Sequence, residues 1–351
     1  MLRCVYLMKL LRLLLFPFSL LYGAILYIRH FLYDNGQLRS TYFGKKVLVI
    51  GNLIVGGAGK SPMTEYLIEL LAENKRLAVL SRGYGRITKG YVHVEMDSDS
   101  KRVGDEPLQI KRKFPHITVA DCEDRVKGVQ HLIENHDLII LDDAFQHRAL
   151  KPGVSILLFD YPRLFDRKWL LPAGDYRDLF SRRHAAHVIV VTKCPPALSD
   201  QEKQRCMELL HLKKPIPVFF SDIRYQSLVH FKKESVHKPI LPSRILTLSG
   251  VAYPAPFIAY LRQRNEVVDS IIFPDHHIYN LRDIDRIVAR WKACGENTII
   301  VTTEKDAMRL RDPALAHYLE RLPLFYLPIK HGFFEEDRYR FNQTIGKILD
   351  S

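Results

Sequence analysis

Gly51-Asn52-Leu53-Ile54-Val55-Gly56-Gly57-Ala58-Gly59-Lys60-Ser61 decides the fold. The string follows a short apolar run, Lys46 to Ile50, and opens an amphipathic one, Lys60 to Glu73. That order reads as strand, glycine-rich turn and helix. In such a turn the backbone N–H groups at the helix N-terminus cradle phosphates, and glycines let the chain approach them closely. The expected nucleotide-binding set is Ile54, Val55, Gly56, Gly57, Ala58, Gly59, Lys60 and Ser61. Lys60 would reach the β- and γ-phosphates of ATP, and the Ser61 hydroxyl would hold Mg²⁺. Ile54 stands where the generic G-x-x-x-x-G-K-[ST] pattern has its first glycine, so the loop is a variant of that pattern.

A phosphate loop needs a metal-binding partner. Asp137-Leu138-Ile139-Ile140-Leu141-Asp142-Asp143 supplies one: an apolar strand ending in two carboxylates, where open α/β sheets place ligands. Asp142 and Asp143 join Ser61 as the metal set, one holding Mg²⁺ and the other orienting water or a base. Further strands are expected at Leu77 to Ser81, Val154 to Phe159 and Val188 to Thr192, and helices at Glu106 to Lys113 and Glu123 to Glu134. Tyr91 to Glu95 reads as a hairpin or lid. Lys213-Lys214-Pro215-Ile216-Pro217 breaks the rhythm, and a second α/β series follows, with strands Ile245 to Leu248 and Thr298 to Thr302 and helices near Pro256 to Arg264 and Asp283 to Cys294. The expected architecture is α/β: a P-loop NTPase-like parallel sheet flanked by helices, a second smaller α/β/α unit, and an N-terminal membrane-docking helix.

Bulk properties agree. The 351 residues, 47% hydrophobic and 26% charged, suit a folded α/β protein of one large or two smaller units. A net charge of +13 calls for an anionic partner. No zinc-finger spacing, aromatic-basic string or compact basic run points to nucleic acid, so none is expected. The five cysteines include no C-x-x-C and read as buried, reduced thiols.

From Val5 to Ile28 nearly every residue is apolar, interrupted by Lys9 and Arg12. The uncharged part, Leu13 to Ile28, falls short of the roughly 20 residues that span a bilayer, and Pro17 lies inside it. A helix lying in the interface fits better, with Arg3, Lys9, Arg12 and Arg29 against anionic headgroups. A signal peptide, a true span and a buried core helix are the rival readings.

Together these strings resemble the tetraacyldisaccharide 4′-kinase (lipid A 4′-kinase) family. Beside the phosphate loop, Ser81 to Arg86 (SRGYGR), Val103 to Pro107 (VGDEP), Asp142 to His147 (DDAFQH), Leu170 to Gly174 (LLPAG), Pro274 to His277 (PDHH) and Thr303 to Met308 (TEKDAM) follow in family order. The resemblance implies a kinase that uses ATP and Mg²⁺ and works at the cytoplasmic face of the bacterial inner membrane. Its phosphorylated glycolipid acceptor would be a tetraacylated glucosamine disaccharide 1-phosphate, phosphorylated at the 4′-hydroxyl. It implies three regions: residues 1–34 as the docking helix, 35–215 as the kinase core, and 216–351 as a unit closing the active-site cleft.

By the same resemblance Asp105 is the catalytic carboxylate and His276 its partner. By position alone, Asp105 reads as a helix N-cap, and neither His276 nor His277 is preferred. Arg82, Arg86, Gln146, His147, Arg177 and Lys305 are the candidates for the lipid and its phosphates, the arginines because a planar fork binds phosphate bidentately. Three departures from the family strings stand out: Ala144, Tyr253 and Asp178 replace the family's glycine, asparagine and glutamate. A P-loop GTPase or metallochaperone-type switch is the alternative, but Thr192-Lys193-Cys194-Pro195 lacks the acid that reads guanine.

Overall fold

The structure, a computed structural model, describes residues 12–233, 237–238, 244–295 and 297–350. Arg3, Lys9 and Cys4 lie outside these residues. The chain forms two compact units: residues 1–80, 124–223 and 331–351 make the first, and residues 81–123 and 224–330 the second.

In the first unit, Val47–Asn52 is wholly buried, as expected of a strand covered on both faces. It lies between Val154–Asp160 and Leu138–Leu141, parallel to both. Leu77–Ser81 pairs with Leu138–Leu141 on one side, and Val188–Thr192, Val218–Tyr225 and Ile329–Phe333 follow in order on the other. The register Val49↔Leu141 is the one that matters for the site. It brings Asp142 and Asp143 out of the sheet beside the end of the phosphate-loop strand, and Ala144 N–H donates to Ile50 O at 3.2 Å. Packing there is tight. A Cβ on Gly51 would fall 2.5 Å from that of Phe145, so glycine is required.

The second unit has its own sheet, ordered His237–Lys238, Leu228–His230, Leu324–Leu327, Thr298–Thr303, Arg244–Ser249 and Glu266–Ile272. The last four are mutually parallel, and Leu228–His230 runs antiparallel to both of its neighbours. The segment read as a hairpin or lid contributes a two-residue strand, Val92–His93, antiparallel to Thr118–Asp121.

The expected parallel sheet with flanking helices and second α/β unit are thus present, but the chain is divided differently from 1–34, 35–215 and 216–351. Residues 81–123 belong to the second unit because helix Asp105–Lys113 packs on helix Glu304–Leu310, with Arg309 bound to Asp105. Residues 331–351 return to the first unit, because helix Glu335–Asp350 buries Phe341 against Phe219 and Phe333. The N-terminal helix, Phe16–Asp34, is part of the first unit as well.

That helix is inverted relative to an ordinary amphipathic one. Its buried residues are Ser19, Leu26 and His30. Phe18, Leu20, Leu21, Ile25 and Ile28 are among those that face outward, each more than half exposed. Among the described residues no helix is long and apolar enough to cross a membrane.

Candidate functional site

The first unit holds the phosphate-loop cluster. Gly56 and Gly59 take positive φ, 97° and 82°, which bends the loop so that it leads into helix Lys60–Leu71. The Thr192 hydroxyl donates to Ala58 O at 2.9 Å and Asn52 Nδ2 to Gly56 O at 3.4 Å, fixing the loop from below and within. A second segment laces its near edge: Val55 N–H donates to Asp175 O, and Arg177 N–H to Leu53 O, both at 2.9 Å.

Side chains converge on Asp143. Lys60 Nζ lies 3.6 Å from its Oδ2 and 3.4 Å from Asn52 Oδ1. Arg177 binds both carboxylate oxygens in the bidentate manner of a guanidinium, with Nη1–Oδ2 at 3.0 Å, and its Nη2 also donates to Asn52. Gln146 Nε2 donates to Asn52 O at 2.8 Å. Burial pushes the Asp143 carboxyl up, but Lys60, Arg177 and Arg125 outweigh it and hold it at about 2. Asp142 is buried, at 1% exposure, and its backbone carbonyl accepts from Arg125. Ser61 is the second residue of the phosphate-loop helix. Two adjacent carboxylates and a hydroxyl are hard oxygen donors, the chemistry that suits Mg²⁺.

The second unit holds the other cluster. Gly104, with φ 81°, caps helix Asp105–Lys113, and Asp105 is its first residue. Asp105 Oδ1 accepts from the Glu106 N–H at 2.9 Å. Its Oδ2 accepts from Arg309 Nε at 2.8 Å and from Nη2, and lies 3.5 Å from His276 Nδ1. Arg309 Nη1 donates to Gly250 O and to Asp306 Oδ1. Asp306 in turn accepts from the Tyr279 and Thr303 hydroxyls and the Gly250 N–H. Burial alone would raise the Asp105 carboxyl. His276, Arg309 and Lys305 reverse that and hold it well below the usual carboxylate range. Asp105 in turn raises His276 above its ordinary value against the opposing effect of burial.

The two histidines of PDHH separate cleanly. His276 has φ 55°, faces Asp105 and lies under the Tyr84 ring at 4.9 Å. His277 bonds Asp283 at 2.9 Å and stacks on Phe273 at 4.4 Å, a structural post.

The remaining candidates divide. Arg177 and Gln146 are in the phosphate-loop cluster. Lys305 is paired with Glu106, next to Asp105. Arg86, its side chain only 2% exposed, pairs with Glu123 and donates to Gly90 O through Nη2, which braces the Gly83–Gly90 loop. Arg82 is exposed. His147 sits in the turn after the paired aspartates, its N–H on Ala144 O. Tyr253 is 70% exposed. Asp178, whose role the sequence leaves open, is buried against His30 of the N-terminal helix, with Nε2–Oδ1 at 2.6 Å. Sequence reading missed Asn52, Arg309 and His30. Asn52 lay in plain view inside the loop string, and Arg309 lies one helical turn from the chosen Lys305.

Comparison with known proteins is consistent along the whole chain. The family model described as "Tetraacyldisaccharide-1-P 4'-kinase" matches residues 11–349. A tetraacyldisaccharide 4′-kinase from Bacteroides thetaiotaomicron is 41% identical, covering 94% of this chain and 91% of its own. One from Flavobacterium johnsoniae is also 41% identical, covering 94% and 95%. Among solved structures, the crystal structure of LpxK from Aquifex aeolicus in complex with ATP superposes with a TM-score of 0.74 at 30% identity. It covers 97% of this chain and 99% of that one.

Proposed function

The chain belongs to the tetraacyldisaccharide-1-P 4′-kinase family, and on that premise we propose that it transfers the γ-phosphate of ATP to the 4′-hydroxyl of a tetraacylated glucosamine disaccharide 1-phosphate. The observation that carries the reading is the convergence of Lys60 and Arg177 on both Asp143 and Asn52 beside a loop built to cradle phosphates. Phosphoryl transfer asks a protein mainly for positioning and charge neutralisation. Lys60 and Arg177 supply positive charge for the phosphates, and the loop N–H groups orient them. Ser61, Asp142 and Asp143 are the residues that would hold Mg²⁺, which neutralises charge on the phosphate oxygens.

Asp105 is assigned the acceptor's proton, with His276 beside it to share the charge. Arg309 keeps that carboxylate ionised, and so a weak base. A loose transition state tolerates this, because bond formation to the acceptor lags and the hydroxyl gives up its proton late. Holding the hydroxyl in line then counts for more than base strength.

The N-terminal helix is assigned to an anionic membrane surface at the cytoplasmic face of the inner membrane. Its outward leucines, isoleucines and phenylalanines offer an apolar face, with Arg29 on the same helix and Arg12 just before it. The nucleotide-switch alternative is not favoured: Lys193, where guanine readout would be built, is paired with Asp160 at 2.7 Å.

The test is phosphoryl transfer from labelled ATP to the disaccharide 1-phosphate in mixed micelles, with GTP and with a Mg²⁺ chelator as comparisons. Product formation with ATP and Mg²⁺ is expected. Nucleotide hydrolysis with no phosphorylated lipid would overturn the kinase reading.

A further inference from the structure

The N-terminal helix grips the back of the segments whose front faces the phosphate loop. The Tyr22 hydroxyl donates to Arg177 O at 2.9 Å, and Arg29 Nη2 donates to Gln146 O at 2.9 Å. Arg177 and Gln146 are two of the side chains that reach Asn52, and Arg177 also reaches Asp143. The next residue after Arg177, Asp178, turns the opposite way and is 1% exposed. It accepts from the Leu179 N–H at 2.8 Å and from His30 at 2.6 Å. Arg148 donates to the other ring nitrogen of His30 at 3.2 Å and pairs with Asp34 at 2.6 Å. With an arginine donating to Nδ1, that nitrogen is the acceptor and the Nε2–H points at Asp178. About three turns nearer the start of the helix, Ser19 accepts from the Ala173 N–H and donates to Leu170 O, tying down the start of the same segment.

Membrane attachment alone explains none of this. An anchor needs its outward apolar face, and an inward face of leucines would seat it on the protein at less desolvation cost. Here the inward face carries Ser19, Tyr22 and His30, each hydrogen-bonded to residues 170–178. We propose that His30 is a positioning residue for phosphoryl transfer: through Asp178, and with Tyr22 on the Arg177 carbonyl, the N-terminal helix sets where the Arg177 guanidinium meets Asp143 and the phosphate loop. The helix therefore acts in the chemical step as well as on the lipid surface, and a shift of the seated helix is transmitted to the arginine. The inference rests on reading Arg177, Asp143 and Lys60 as phosphoryl-transfer groups.

The experiment uses the full chain with lipid acceptor in detergent micelles at saturating acceptor, so that vesicle binding does not enter. His30→Ala should lower kcat roughly 10–100-fold, as loss of a residue supporting an active-site ligand does, with a small change in KM for ATP. His30→Gln, which can donate to Asp178 and accept from Arg148, should recover most of the loss. Tyr22→Phe removes one hydroxyl and keeps the ring, and should lower kcat several-fold with the melting temperature held. It decides the matter should His30→Ala fail to fold. Wild-type kcat in folded His30→Ala, or in Tyr22→Phe where that decides, overturns the inference. Lys60→Ala run in parallel separates the two readings. If Lys60→Ala is inactive and His30→Ala is not impaired, only the positioning role falls. If Lys60→Ala stays active, the phosphate-loop assignment itself falls.

Discussion

Arg309→Ala tests what keeps Asp105 charged inside the protein. The two side chains are 8% and 6% exposed, and both Nε and Nη2 of the arginine donate to one carboxylate oxygen. Removing the guanidinium does not strand Asp306, which keeps the Tyr279 and Thr303 hydroxyls and the Gly250 N–H. Asp105 is left with the Glu106 N–H and with His276 at 3.5 Å. Truncating one partner of a buried pair costs about 3–5 kcal/mol, and the nearby imidazole argues for the lower end, about 3 kcal/mol. The pH dependence has a definite sign. In the wild type Asp105 is depressed below its unfolded value, so its stabilisation is present above that value and lost as pH falls through the folded one. Arg309→Ala moves the folded value upward. The carboxyl then protonates at higher pH, and the variant's deficit against wild type narrows as pH is lowered from 7 into the acid range. Because the cost is an uncompensated carboxylate, Arg309→Ala combined with Asp105→Asn should be more stable than Arg309→Ala alone, by about 1 kcal/mol or more. Urea unfolding followed by circular dichroism at pH 7 and pH 5 measures all three proteins. Equal midpoints for the single and double variants, at both pH values, would show that Asp105 does not depend on this arginine.

Two further outcomes bear on the proposed roles. Asp105→Asn keeps an oxygen for the Glu106 N–H, so the helix start survives, yet kcat should fall roughly 10²-fold or more if the group takes the acceptor's proton. A near-normal rate would reduce Asp105 to a helix-terminus residue, and adding His276→Ala should be far less than multiplicative if the two act together. Leu21, Ile25 and Ile28, changed together to serine, alter only the outward face of the N-terminal helix. Sedimentation with anionic vesicles should then fall steeply while micelle-based kcat holds, and undiminished vesicle binding would refute the docking surface.

What the sequence made legible is local. The phosphate loop, the strand ending in Asp142-Asp143 and the fully apolar parallel strands are short strings whose meaning depends on neighbours a few residues away. Strands Leu77–Ser81, Leu138–Leu141 and Val188–Thr192 fall where the apolar runs place them. The partition of the chain was not legible, because residues 81–123 join the second unit through pairings some 200 positions apart, such as Asp105 with Arg309. No periodicity reports a contact of that separation. The inward polar face of the N-terminal helix was hidden for a related reason. Hydropathy counted the apolar residues of Leu13 to Ile28 correctly, but Ser19 and His30 acquire meaning only from Ala173 and Asp178.

Arg309 is the instructive case, since part of its signal was local. Choosing Lys305 as a site-facing residue commits the same helix face at i+4, which is Arg309. In the structure the pair divides the work: Lys305 holds Glu106, and Arg309 holds Asp105, the residue before it. One turn of the helix Glu304–Leu310 thereby fixes both acids at the start of the helix Asp105–Lys113. Asp105 could not be buried there alone, because an unpaired carboxylate in that position would protonate. The ionised state that the proposed chemistry needs is thus set from the far end of the chain, and a motif read without its partner cannot give the charge of its own residue.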